Sequence, residues 1–126
     1  MTTGKPNTFT KTERLCSRKI IEQLFENGQS LFSHPVKLIY IEREAGEKYS
    51  PAEAMFVVPK KNFKSAVDRN RLKRQMRESY RLNKNKFYEK CIANNKRFAI
   101  AFIYVAKDFT DYKIISNKIN RLMNQL

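Results

Sequence analysis

A single histidine, His34, is all the imidazole this chain has, beside two cysteines, three glycines, four prolines and no tryptophan. One imidazole cannot build a zinc site with Cys16 and Cys91, which lie far apart and make no Cys-x-x-Cys pair. Nor can it supply a Ser/His/Asp constellation, so no self-contained hydrolase site can be assembled. His34 precedes Pro35 and reads as a turn residue, and both cysteines read as small packing residues in a reducing compartment. No Gly-rich phosphate loop identifies a ligand. No stretch approaches 18 apolar residues, and residues 1–10 are polar, without the apolar core of a signal peptide. A cytoplasmic protein is expected. Acid is scarce too: 12 Asp and Glu face 26 Lys and Arg, giving a net charge of +14 and a pI near 10.0. Self-repulsion of that size implies a polyanionic partner. Nucleic acid is the first candidate; a membrane surface is disfavoured because the basic segment has only a short apolar arc.

What is present suffices for one domain. At 126 residues, 41% hydrophobic and 12% aromatic, the chain can bury roughly two-thirds of its unfolded surface. Residues 1–11 are expected to form a flexible tail and 12–126 a single domain. Ser17 to Asn27 places Ile20, Ile21, Leu24 and Phe25 at helical spacing, with Gly28 as a left-handed cap. Pro35 to Glu44 alternates Val36, Leu38 and Tyr40 with Lys37, Ile39 and Ile41, as a strand does, and Leu31 to Ser33 is a candidate short strand before it. After a connection over 45–51, Ala54 to Val58 is the next strand, closed by Pro59. Phe98 to Val105 is apolar on both faces and should be central. Thr110 is placed to cap a last helix with a stripe of Tyr112, Ile115, Ile119, Leu122 or Met123, and Leu126. The order α-β-β-(β)-α-β-α predicts an α/β (α+β) two-layer sandwich on a mostly antiparallel four-stranded sheet. Phe98, Phe102 and Tyr104, like Phe25 and Phe32, read as core.

The charge is concentrated. Between Lys60 and Arg81, nine basic residues face only Asp68 and Glu78, a net +7 in 22 residues. At about 100° per residue, Leu72, Met76, Ser79 and Tyr80 form one arc, while Arg69, Lys73, Arg77, Asn70, Arg81 and Arg74 fill the next roughly 140°. Arg71 projects further round. Ser65 followed by Asp68 predicts a helix starting near Ser65, and Asn83 to Asn95 reads as its extension or as a second segment ended by Asn94-Asn95. A solvated basic helix would interleave Glu with Lys. Here like charges stack, and Arg outnumbers Lys five to one from Arg69 to Arg81, which suits phosphate and bases.

The string Lys60-Lys61, Ala66-Val67-Asp68, Arg69-Asn70-Arg71-Leu72-Lys73-Arg74 and Arg77-Glu78 resembles the signature of the bacterial ribonuclease P protein subunit. Arg14-Leu15, the spacing from Phe25 to Gly28, the strand at Val36 to Tyr40, the apolar strand at Phe98 to Val105 and the closing helix follow the same order. The similarity therefore covers nearly all of the chain from about residue 12. Met55 to Pro59 lacks the Gly and two Ser usual there, and Asn62-Phe63-Lys64-Ser65 replaces a shorter turn.

The resemblance implies a protein that binds a catalytic RNA and the 5′ leader of precursor tRNA and assists hydrolytic removal of the leader. The active site would lie in the RNA, with no catalytic residue and no metal ligand in this chain and Mg²⁺ held mainly by RNA. It implies RNA-subunit contacts from Lys60, Lys61, Lys64, Arg69, Asn70, Arg71, Lys73, Arg74, Arg77 and Arg81. It also implies a leader cleft between the first helix and the sheet, with candidates Arg14, Ile21, Phe25, Lys37 and Tyr40. Lys37 and Tyr40 fall on opposite faces of an alternating strand, so only one of them can face that cleft. A left-handed β-α-β crossover through the basic helix is implied too, against the usual right-handed rule. No membrane and no obligate protein partner are expected. The alternative is a ribosomal or ribosome-associated RNA-binding protein without an enzymatic role.

Overall fold

The structure, a computed structural model, describes residues 9–43 and 51–126. The tail expected over 1–11 falls outside the described residues up to residue 8, as does the connection expected over 45–51 up to residue 50. Phe9 already belongs to the domain: its ring lies 5.8 Å edge-on from both Phe56 and Tyr80.

After a single 3₁₀ turn at Lys11–Glu13, α1 spans Arg18–Asn27, with the Ser17 hydroxyl accepting the Ile20 N–H at 3.4 Å. Gly28 is not the left-handed cap expected, since its φ of −68° and ψ of 150° are extended. Glycine is needed there for closeness: a Cβ would meet the Leu24 carbonyl oxygen at 2.3 Å and Ile39 Cγ2 at 2.6 Å. The helix end is pressed against the sheet.

Strand β1, Gln29–Ser33, is longer than the Leu31 to Ser33 segment expected. It turns at His34-Pro35, a cis peptide, into β2, Val36–Arg43. Strand β3 is Ala52–Val57, α2 is Ala66–Ala93, β4 is Arg97–Tyr104 and α3 is Tyr112–Asn124. The sheet order is β1-β2-β4-β3. β1 with β2 and β2 with β4 are antiparallel, whereas β3 and β4 are parallel and joined through α2, so the sheet is mixed.

β4 is central and buried along almost its whole length. Phe98, Ile100, Phe102 and Tyr104 join Leu72, Met76, Tyr80 and Phe87 of α2 and Ile115, Ile119 and Leu122 of α3 in the main core. Each such side chain contributes about 1.5–3 kcal/mol by leaving water. Ala99 and Ala101 face the other way, toward Leu15, Leu24, Ile20 and Ile21. Small residues there let α1 lie directly on the backbone of the sheet, so helices cover both faces, α1 only partly.

The basic segment and its extension form one 28-residue helix. Ser65 Oγ accepts the Asp68 N–H at 3.4 Å at its start. At its end, Asn95 takes a left-handed φ of 55° while the Lys96 N–H reaches the Cys91 carbonyl at 2.8 Å. Thr110 does not cap α3. Its hydroxyl lies 2.7 Å from the Tyr104 hydroxyl, and Asp111, without a side-chain cap bond, precedes the helix. Of the two free cysteines only Cys91 packs in the core; Cys16 is exposed.

Candidate nucleic-acid interface

Leu72, Met76, Ser79, Tyr80, Phe87 and Cys91 bury one side of α2, and the buried face continues through Lys84. Lys84 is paired with Glu13, whose other contacts are the Tyr88 hydroxyl at 3.3 Å and the Thr10 hydroxyl at 3.3 Å. The Tyr88 hydroxyl is in turn 3.0 Å from that of Tyr80, and burial raises the pKa of both phenols. A buried cation with an anion and hydrogen bonds around it keeps residues 10–13 against the helix. The next residues are held at the sheet edge, where Leu15 N–H donates to the Ala54 carbonyl at 2.9 Å and Arg14 bridges β3 in parallel.

The remaining basic residues of α2 differ in what they touch. Arg69 Nη1 donates to the carbonyls of Phe63 and Lys64 at 2.7 and 2.9 Å, tying the first turn to the preceding connection. That connection is pinned again by the buried Phe63 and by the Asn62 N–H to Pro59 carbonyl bond at 3.1 Å, which leaves Lys60, Lys61 and Lys64 exposed. Arg81 is paired with Glu78, its Nε 3.2 Å from Oε2, and this hydrogen bond holds the Glu78 carboxyl below its ordinary range. The Arg71 guanidinium carbon lies 5.1 Å from the ring centre of Phe109. Asn70, Arg74 and Arg77 are exposed and Lys73 half-exposed. Lys73, Arg74 and Arg77 have no carboxylate partner among the described residues. Three unneutralised cations on one helix make a surface whose charge and donors are chemically suited to phosphates.

A second surface lies on the sheet face that α1 partly covers. Register places Phe32, Lys37, Ile103 and Val57 in one row across the four strands, and Ser30, Ile39, Ala101 and Met55 in the next. α1 packs on Ile39, Ile41, Ala99, Ala101 and Met55. Asn27 lines a hollow with Ile41 and Glu42, so the opposite flank of α1, which carries Phe25, is the one on the side of the row of Phe32 and Lys37. Phe25 is 47% and Phe32 63% exposed, so neither is the core residue expected of an aromatic stripe. Two aromatic rings beside a lysine and apolar side chains suit unpaired bases. Ile21, on the sheet-facing side of α1, is half-buried against this face.

Tyr40 takes no part. It faces the α3 side, 6.0 Å edge-on from Phe98, with its hydroxyl donating to Gln29 Oε1 at 2.9 Å. Farther along the α1 face, Arg43 and Arg97 are neutralised by Glu53 at 2.5 and 2.8 Å. Arg14 lies outside the row of Lys37, at the β3 edge, where it lines a hollow of about 280 Å³ with Phe9, Met55, Phe56 and Arg77. This hollow joins the two surfaces, since Arg77 belongs to α2 and Met55 to the α1 face. Phe32 reads from the sequence as core and not as a cleft residue, although one signal was available: in a two-residue hairpin it falls opposite Lys37 and shares that residue's face.

The family model described as Ribonuclease P matches residues 9–126. The ribonuclease P protein component of Chlorobium phaeobacteroides is 35% identical over 129 residues, covering 95% of this chain and 88% of that protein. Its counterpart in Porphyromonas gingivalis is 34% identical over 119 residues, covering 92% and 85%. Among solved structures, the RNase P protein of Thermotoga maritima superposes with a TM-score of 0.70 at 27% identity, over 90% of this chain and 97% of that one.

Proposed function

This chain belongs to the ribonuclease P protein family, and from that membership we propose how its two surfaces divide the work. As a protein component of ribonuclease P it serves removal of the 5′ leader from precursor tRNA. In our reading the RNA subunit holds the active site and this chain supplies grip and positioning. Asn70, Arg71, Lys73, Arg74 and Arg77, with Lys60, Lys61 and Lys64, contact the RNA subunit. Their charge offsets phosphates that would otherwise repel the substrate. Arg81 contributes less, being paired with Glu78.

The leader lies across the other face, its bases against Phe25, Phe32 and Ile21 and its backbone near Lys37. Stacking at roughly 1–3 kcal/mol per base asks for no particular leader sequence. Arg14 and Arg77, at the hollow on the β3 edge, lie where leader and RNA subunit meet. As the family resemblance implies, we assign the Mg²⁺ of the ribonucleoprotein mainly to RNA phosphates. No helix of the described residues is long and apolar enough to cross a membrane. We assign the protein to the cytoplasm, with the precursors it serves.

The observation that carries this reading is that the family match spans a helix whose exposed arginines have no carboxylate partner among the described residues. The test is cleavage of precursor tRNA by ribonuclease P RNA at low Mg²⁺, with and without the protein. Stimulation is expected, and its absence with well-folded protein would sink the proposal.

A further inference from the structure

Phe109, in the loop from β4 to α3, belongs to neither surface as the family reading draws them, yet it is 46% exposed beside the basic helix. Its mount is firm. The ring lies 5.2 Å from that of Phe63, which lies 5.8 Å from the buried Tyr104. The Tyr104 hydroxyl donates to the Asp108 carbonyl at 2.5 Å and sits 2.7 Å from the Thr110 hydroxyl, so the residues on both sides of Phe109 are tied to the core. The guanidinium of Arg71, the arginine that projects away from the rest of the arc, rests over this ring.

An exposed aromatic alone means little. Here the ring is fixed; its own loop carries Asp108 and Asp111 beside Lys107, while the elements packed against it bring cations, Arg71 and the Lys60, Lys61 and Lys64 connection that Phe63 anchors. A guanidinium already oriented on a ring loses less freedom when it meets a phosphate. We propose that Phe109 and Arg71 form a receptor for one unpaired nucleotide of RNA, the base against the exposed part of the Phe109 ring and the phosphate on Arg71. The proposal rests on the ribonuclease P reading and adds a contact on the far side of α2 from the leader cleft.

The chain has no tryptophan, so Phe109→Trp puts a lone indole at the site. F109W is titrated with ribonuclease P RNA, and the complex then with precursor tRNA, while indole emission is followed and filter binding reports complex formation. Quenching in the first step assigns the nucleotide to the RNA subunit, and quenching only in the second assigns it to the substrate. Unchanged emission in both, with complex formed, overturns the proposal. Phe109→Leu keeps an apolar contact with Phe63 and should leave the thermal midpoint in place. It should weaken RNA binding by about five- to 150-fold with no change in salt dependence, because no phosphate contact is removed. Undiminished affinity of F109L overturns the proposal as well. If the wild-type protein itself fails to bind ribonuclease P RNA, it is the functional reading that fails.

Discussion

Arg69 commits one guanidinium nitrogen to two carbonyls, those of Phe63 and Lys64, whereas Arg74, on the same helix, is exposed and has no carboxylate partner among the described residues. The two should separate in experiment. Arg69→Ala removes charge-assisted bonds worth about 1–2 kcal/mol and should lower the thermal midpoint by roughly 3–8 °C. Arg74→Ala should leave the midpoint unchanged and reduce the slope of log K for RNA against log salt by about 0.7–0.9, one phosphate's share. Parallel melts and salt titrations check this; equal midpoints for the two variants would mean that the carbonyl contacts of Arg69 stabilise nothing. Sequence alone placed both residues on one basic arc. A wheel gives the direction in which a side chain leaves the helix, but not that the chain from Pro59 to Ser65 would pass within its reach. Gly28 teaches the same lesson, since its position after α1 was legible while the reason for glycine, the approach of Ile39, was not.

At the scale of elements, α2 was readable because its chemistry is local: Ser65 and Asp68 at one end, Asn94-Asn95 at the other, and an apolar arc at helical spacing between them. Its unbroken length was not, since Lys84 falls on the buried face and looks like an interruption until Glu13 arrives from 71 residues away to pair with it. The start of α3 was misjudged because the hydroxyl of Thr110 had a competitor for its bond in Tyr104. Burial in the seam between α2 and the sheet pushes the Cys91 thiol up to about 11 from an ordinary value of 9.0. The folded-state pKa is raised, so the stability linked to this group is fully present below about pH 9 and is lost as pH rises toward about 11, where the unfolded chain gains a thiolate that the folded one resists. Cys91→Ala lacks that dependence. The stability advantage of the wild type over C91A, measured by urea unfolding, should therefore shrink between pH 8 and pH 11. An advantage that is constant or growing would contradict it.

For the whole molecule, the decisive arrangement is a sheet with a helix pair packed on one face and a single crossing helix on the other. The crossing helix leaves the row of Phe32, Lys37, Ile103 and Val57 uncovered, while α2 reaches round the β3 edge through Arg77. Phe25→Ala and Phe32→Ala each trim an exposed ring, so the thermal midpoint should stay within the equivalent of about 0.5 kcal/mol. In the assembled ribonucleoprotein, affinity for precursor tRNA with its leader should fall by about five- to 150-fold relative to leaderless tRNA. An equal loss for both RNAs would remove these rings from the leader path.

The amino-acid order by itself determined the basic helix, its caps and buried arc, the alternation of β2, the two apolar faces of β4, the need for a polyanion and the family resemblance. All of these are carried by local periodicity, composition or spacing along the chain. Only the tertiary structure decided that Lys37 and not Tyr40 looks toward α1, that Phe25 and Phe32 stay in water, that Lys84 is buried and that Arg71 rests on Phe109. Each of those depends on strand pairing or on a contact between segments distant in sequence. Such contacts are set by which surfaces bury against each other, and no local pattern records that.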